Sequence, residues 1–176
     1  RELTRTSSEF SLVPFQRCSF NTTNIPLSKN NSAPILINEV AWMGSPQNHT
    51  HEWVELKNIS KEKIDLSGWQ LINENERIHF TFPQKSFFED DILLLARENV
   101  TEALTLKVDY TFSGSIRNTK EGLRLFDSTC TLVDEILATP SWPAGNNKTK
   151  QTAERTPNGA WQNSRTPSGT PNRQNI

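Results

Sequence analysis

Short hydrophobic runs separated by turn residues recur along the chain between residues 35 and 137. The first run, residues 35–42, contains several β-branched side chains, and in the second, residues 52–56, hydrophobic residues stand among carboxylates. Such runs are typical of β-strands, and many short strands at regular spacing predict a β-sandwich. Helical periodicity is scarce, and only residues 98–106 have spacing that permits a turn of helix. The pattern therefore predicts an all-β domain.

The two ends of the chain differ from this middle region. Residues 1–33 are rich in Ser, Thr, Asn and Pro, which predicts a linker or an arm that packs loosely on the sandwich. Residues 139–176 contain five prolines among Gly, Asn and Thr, a composition typical of disorder. Trp142 and Trp161 argue against full disorder, because a tryptophan buries about 150–250 Å². We expect an irregular tail, held on the sandwich by these two rings.

Composition and charge narrow the class of protein. A chain of 176 residues is expected to form one domain, and its 34% hydrophobic content with a mean hydropathy of -0.63 predicts long polar loops. The charge is nearly balanced, at 19 basic and 20 acidic residues, so the basic stripe of a nucleic-acid-binding protein is lacking. No run approaches the ~20 hydrophobic residues of a membrane helix. Because the chain starts at Arg1 without a signal peptide, we expect a mature or excised fragment.

Several motifs occur in an order that points to a family. They are the segments 35–42 (ILINEVAW), 52–56 (EWVEL), 65–69 (DLSGW), 92–96 (ILLLA) and 123–127 (LRLFD), followed by SWPAG and GTP in the tail. The chain resembles the lamin-tail domain family in its bacterial form. The resemblance implies an immunoglobulin-like β-sandwich over residues 34–137, with an irregular C-terminal tail packed on it. The structural signature then falls on Asn38, Glu39, Trp53, Glu55, Asp65, Gly68 and Trp69.

This resemblance also implies where the domain begins and which tryptophan lies at its centre. Residues 1–33 form the arm or linker, and residues 34–176 form the lamin-tail-like domain with its wrapping tail. An immunoglobulin-like sandwich usually has one tryptophan at its centre, and Trp69, directly after a turn, is the predicted one. Trp42 ends a strand before a polar loop, so we expect it to be partly exposed and to offer a contact for carbohydrate or protein.

The two cysteines, Cys18 and Cys130, leave two interpretations open. A disulfide would tie the arm to the turn that follows residues 123–127, and it would place the protein in an oxidising compartment. Two unpaired cysteines are equally compatible with a cytosolic chain. The chain also has six Asn-x-Ser/Thr sequons, which we interpret as a consequence of its composition. They are Asn21, Asn30, Asn48, Asn58, Asn99 and Asn147.

The sequence contains few candidate catalytic or metal-binding residues. His49 and His51 could approach one metal ion, but no third ligand completes a zinc site, and we interpret both as solvated loop residues. The run from Glu89 to Asp91 lacks the spacing of a calcium loop and predicts a charged hairpin turn. Glu39 and Glu55 could form a glycosidase-like pair, but they are better interpreted as hydrogen-bonding or ion-pairing groups. The partners considered are Lys57, Arg77 and Arg124. We therefore expect no catalytic residue, no cofactor and no metal.

The function predicted is a non-catalytic structural or interaction module of a secreted or cell-surface bacterial protein. Its partner would be a protein or a cell-surface polymer, and its location extracellular or at the cell surface. The alternative is a substrate- or nucleic-acid-binding accessory domain of an extracellular hydrolase or nuclease. Salt-dependent binding to DNA or to a cell-wall polysaccharide would distinguish the alternative.

Overall fold

The computed structural model describes residues 14–22, 34–98, 100 and 106–176. Every regular element among them is a strand, so the all-β prediction is confirmed. The strands are β1 (Ile35–Ala41), β2 (Trp53–Asn58), β3 (Ile64–Asp65), β4 (Gln70–Asn73), β5 (His79–Thr81), β6 (Phe87–Phe88), β7 (Ile92–Arg97), β8 (Tyr110–Phe112), β9 (Thr119–Phe126), β10 (Leu132–Ser141), β11 (Gln151–Arg155) and β12 (Trp161–Pro167). Within the described segments, no helix is long and apolar enough to span a membrane.

Two sheets face each other. One has six strands in the order β12-β11-β1-β2-β7-β8, and the other has four in the order β10-β9-β4-β5. A short ribbon of β3 and β6 lies beside them. All pairs are antiparallel except β7 with β8. Because alternate residues of a strand point to opposite faces, each sheet has an inner face toward its partner and an outer face.

The main core fills the space between the sheets. Val40, Val54 and Leu95 face it from the six-stranded sheet, and Leu71 and Leu125 face it from the other. The outer faces carry smaller clusters. On the six-stranded sheet Ala41, Trp53, Leu94, Ala96 and Val100 pack together, and on the four-stranded sheet Cys18, Phe20, Ile72, Phe126 and Cys130 do so. Both outer faces are therefore partly covered by other parts of the chain.

The tail departs from the sequence prediction. It was expected to be irregular, but β11 and β12 form an antiparallel hairpin that continues the six-stranded sheet. β11 pairs with the edge of β1 that β2 leaves open. The prediction of an irregular tail was wrong here because this pairing depends on a backbone edge that is distant in the sequence, whereas the tail's own polar composition gives no strand signal.

The two tail tryptophans have different environments. Trp142 is buried in the main core, and Trp161 is half-buried beside Arg155, whose guanidinium lies 4.5 Å from its ring centroid. The possible helical turn at residues 98–106 lies largely outside the described residues. Of that segment only Glu98, Val100 and Leu106 are described, and Val100 packs against the outer cluster around Trp53.

Candidate functional site

A row of three buried glutamates crosses the outer face of the six-stranded sheet. Glu39 of β1 lies opposite Glu55 of β2 and opposite Glu154 of β11, and all three have no solvent exposure. Charged side chains are almost never fully buried unless they have partners. We call Glu39, Glu55 and Glu154 the carboxylate row.

The end of the chain covers the carboxylate row and supplies its partners. The amide of Thr170 donates to Glu39 Oε1 at 3.0 Å, and the amide of Asn172 donates to Glu55 Oε2 at 2.8 Å. The hydroxyl of Thr170 lies 3.1 Å from Glu39 Oε2 and 3.2 Å from Glu154 Oε1. The carboxylate row therefore anchors the last residues of the chain to the sheet.

Burial changes the protonation of Glu39 and Glu55. Loss of solvation raises the pKa of Glu39 to about 8, although hydrogen bonds from Thr152 and Thr170 oppose the rise. The same loss of solvation raises the pKa of Glu55 to about 7, against hydrogen bonds from Asn38 and Asn172. At neutral pH Glu39 is therefore largely protonated. A substrate has no access to these carboxyl groups while the tail is in place.

The ion pairs considered for Glu39 and Glu55 were wrong. Arg124 binds Glu135 instead, at 2.8 Å between Nε and Oε2, and Lys57 acts on Glu55 only as a nearby charge. The contacts of the row are neutral amides and hydroxyls, among them the side-chain amide of Asn38, which donates to Glu55 Oε1 at 2.7 Å. Neutral partners suffice for Glu39 and Glu55 because their raised pKa values leave them partly protonated at neutral pH.

The other signature residues are structural. Trp53 packs in the outer cluster next to the carboxylate row, and Trp69 lies in the main core with 8% exposure. Asp65 is exposed, and hydrogen bonds from Ser67 lower its pKa. Gly68 has a φ of 80°, and the ring of Phe15 occupies the space where a Cβ would stand. Gly68 thus allows the arm to approach the turn before Trp69.

Trp42 is buried, which contradicts the predicted exposure. Its side chain is only 7% exposed and stacks on Trp142 with ring centroids 6.0 Å apart and planes inclined by 5°. Its indole N–H donates to the carbonyl of Ala144 at 3.0 Å. The prediction failed because the residues that cover Trp42 follow it by about a hundred positions, so the polar loop beside it was a poor guide.

Cys18 and Cys130 form a disulfide with their Cα atoms 5.3 Å apart. Phe20 packs in the same outer cluster, and the amide of Cys18 donates to Gln70 Oε1 at 3.0 Å. The guanidinium of Arg124 lies 4.6 Å from the Phe20 ring centroid and donates to the Phe20 carbonyl at 2.6 Å. Residues 14–22 of the arm are therefore held by packing and hydrogen bonds as well as by the disulfide.

The histidine loop also differs from its interpretation. His51 is buried, not solvated, and its Nδ1 lies 2.8 Å from Ser45 Oγ, while His49 is exposed, as in a solvated loop. The acidic run is exposed, as in a charged turn. Glu89 pairs with Lys63, and Asp90 pairs with Lys107 at 3.2 Å. His51, Glu89 and Asp90 each have a structural partner.

A solvent-open polar cleft of about 580 Å³ lies on the surface. Four segments form it: the loop after β1, the end of β7 with the residue before β2, the loop after β8, and the turn before β11. Three cations line it, Arg97, Arg117 and Lys150, together with the carboxylate of Glu52. We call this feature the polar cleft.

Buried carboxylates hold the two arginines of the polar cleft. Arg97 Nη1 lies 3.3 Å from Glu52 Oε2, and Arg117 Nε lies 3.3 Å from Glu121 Oε2. Glu52 and Glu121 are buried, whereas the arginine side chains are 30% and 43% exposed. Burial raises the pKa of Glu52 to about 7, against the amide of Ile116 and the charge of Arg97. Each arginine is thus held by a buried carboxylate on one side and is open to solvent on the other.

The polar cleft could not be predicted from the sequence. Arg97, Arg117 and Lys150 are each separated by twenty or more positions, and each stands in a segment of mixed charge. Only the meeting of the four segments brings the cations together, and a single sequence holds no local signal for that.

Comparisons with known proteins agree with the fold. A search of curated proteins found no match. The family model described as Lamin Tail Domain matches residues 28–139, more than half of the chain. That family has an immunoglobulin-like fold, so the match and the two facing sheets confirm the predicted β-sandwich. The chain belongs to the lamin tail domain family.

Proposed function

We propose that this protein is a non-catalytic interaction module of a secreted or cell-surface bacterial protein, and that it contacts its partner through the polar cleft. The lamin tail family is a family of non-catalytic, immunoglobulin-like domains. A sandwich of this kind binds through loops and sheet edges on a rigid scaffold and needs no deep pocket. The partner is a protein or a cell-surface polymer.

The observation that carries the proposal is the construction of the polar cleft. Its arginines are held in place by the buried carboxylates of Glu52 and Glu121, and their exposed sides face solvent. Side chains that are already ordered lose less conformational entropy on binding. A surface whose side chains are already ordered is therefore suited to binding a partner. By contrast, the carboxylates first considered for catalysis, Glu39 and Glu55, lie beneath the tail.

The Cys18–Cys130 disulfide supports a location of the protein in an oxidising compartment. Disulfides persist in oxidising environments such as the periplasm and the extracellular space, and they are rare in the cytosol. Both cysteines are buried, so the bond is part of the packed structure. A secreted or surface location accounts for this bond.

The alternative function was an accessory domain of an extracellular hydrolase or nuclease. The polar cleft favours the first of these, a domain that holds the substrate of a hydrolase. Its cations are grouped at one place, which suits an acidic polymer. A nuclease accessory domain is less favoured, because the chain has a net charge of -1 and phosphate neutralisation supplies most nucleic-acid affinity. The first function remains our proposal.

The test uses the folded, oxidised chain. Fluorescently labelled protein is added to cell envelopes from the bacterium that encodes it, and bound protein is measured after sedimentation against a heat-unfolded control. We expect saturable binding by the folded protein alone. No binding, or equal binding by the unfolded control, would contradict the interaction role. Two freely alkylated thiols in protein from its natural compartment would contradict the location.

A further inference from the structure

We infer that the polar cleft binds the carboxylate groups of an acidic polysaccharide built from hexuronic acid units. This inference rests on the proposed function and names the chemistry of the partner. It is carried by the charges that line the polar cleft, by the way they are held, and by the uncharged polar groups between them.

Lys150 is the cation without a carboxylate. Its ammonium donates to the carbonyl of Met43 at 3.0 Å and to Asn147 Oδ1 at 2.7 Å, and among the described residues no carboxylate forms an ion pair with it. Lys150 therefore holds an unneutralised positive charge at the polar cleft.

The charge balance of the polar cleft is positive, although the whole chain has a net charge of -1. Arg97, Arg117 and Lys150 line it, and Glu52 is the carboxylate among the described lining residues. Glu52 faces Arg97 with one oxygen, Oε2, which also accepts the amide of Ile116 at 3.1 Å. Arg117 also pairs with Glu74 and Glu121, which lie outside the lining, so Lys150 is the charge that remains for an anionic ligand.

The guanidinium groups are suited to an oxyanion such as a carboxylate. A guanidinium presents five N–H donors in a plane and binds carboxylates with two parallel hydrogen bonds. Arg97 contacts Glu52 through Nη1, and Arg117 contacts Glu121 and Glu74 through Nε and Nη2. In the described structure these contacts leave donors on both arginines for a ligand in the polar cleft.

The uncharged lining distinguishes a polysaccharide from a nucleic acid. Thr50, Ser115, Asn118 and Asn147 line the polar cleft with hydroxyl and amide groups, which match the many hydroxyls of a sugar. Single-stranded nucleic acids are held by aromatic rings on which bases stack, and the lining, as described, has no Phe, Tyr or Trp ring, although the imidazole of His49 is part of it. The volume of about 580 Å³ lies within the range of sites for small ligands, roughly 300–1,000 Å³.

The experiment measures binding of a hexuronic acid trisaccharide by titration calorimetry, with the neutral hexose trisaccharide of the same linkage as the matched ligand. We expect the acidic trisaccharide to bind, its affinity to fall with added salt, and the neutral one not to bind. Equal binding of both, or no binding of the acidic one, would overturn the inference. Tighter binding of a glutamate-rich peptide or a single-stranded oligonucleotide would overturn the assignment to a polysaccharide.

Variants connect the binding to the polar cleft. Lys150→Gln removes the charge and keeps a hydrogen-bond donor, and we expect it to weaken binding about tenfold, as does Arg97→Gln. Lys85→Gln is the control, because Lys85 is exposed, has a φ of 62° and lies outside the polar cleft. Thermal melts verify that each variant folds, and Lys150→Gln keeps the test available if Arg97→Gln unfolds. Unchanged binding in both would overturn the inference.

The same variants separate this inference from the proposed function. If Lys150→Gln weakens binding to cell envelopes, and the wild-type protein does not bind the trisaccharide, only the ligand assigned to the polar cleft is wrong. If the wild-type protein does not bind envelopes at all, the interaction role itself fails.

Discussion

The carboxylate row should make the stability of the protein depend on pH, and Glu39 is the group with the largest effect. Its pKa is about 8 in the folded protein and 4.5 for an ordinary glutamate. The folded chain therefore holds more protons than the unfolded chain between these values. The stabilisation that comes from protonated Glu39 is fully present below pH 4.5 and is lost as the pH rises toward 8.

The size of the effect follows from the same values. Each pH unit inside the window lowers the free energy of unfolding by about 1.4 kcal/mol per group. Between about pH 5.5 and about pH 7.5, Glu39 alone should lower it by about 3 kcal/mol. The pKa values of Glu52 and Glu55, each about 7, add losses of the same sign that end near pH 7. Such losses are large against the roughly 5–15 kcal/mol that stabilises a domain.

The substitution Glu39→Gln tests this reasoning. Glutamine keeps the shape and an oxygen that accepts the amide of Thr170, but it cannot ionise. We expect the free energy of unfolding of the variant to fall by about 3 kcal/mol less than that of the wild type over the same pH range. His79, whose pKa is lowered mainly by burial, contributes with the opposite sign below its ordinary value of 6.5. It does so equally in both proteins.

Urea unfolding, followed by tryptophan fluorescence at several pH values, gives the free energies. Glu62→Gln is the control, because this glutamate is exposed, and it should retain the pH dependence of the wild type. If Glu39→Gln loses as much stability as the wild type between about pH 5.5 and about pH 7.5, Glu39 is not protonated in the folded protein and the reasoning is refuted.

Three further predictions concern the tail, the arm and the core. Gly169→Ala should lower the melting temperature and cost about 2 kcal/mol or more, since the φ of 66° and the overlap of a new Cβ with the carboxylate row both oppose it; an unchanged melt would contradict the tail contacts. Cys18→Ser with Cys130→Ser should cost up to about 4.7 kcal/mol and expose the arm to limited proteolysis while the sandwich stays folded, and an arm that remains resistant would show that packing alone holds it. Trp142→Ala should cost about 3–5 kcal/mol by calorimetry, and a loss below about 1 kcal/mol would contradict its burial.

Some features of the candidate site could be predicted from the sequence. Glu55 stands between two hydrophobic neighbours and Glu39 directly before Val40, both in strand-like runs, and charged residues in such places need partners, so their buried and bonded state could be anticipated. The third member of the row could not, because Glu154 belongs to a tail with no strand pattern. Nor could Thr170, which reaches Glu39 across 131 positions.

The sequence by itself determined the class of fold. Alternation, β-branched residues and turn signals are local properties, and they were enough to place β1, β2, β4, β7 and β9 and to identify the family. The tertiary structure alone decided which surfaces are covered and which charges meet. The burial of Trp42, the β11–β12 hairpin and the polar cleft all depend on contacts between segments far apart in the chain, and these depend on how the sheets pack instead of on any local pattern.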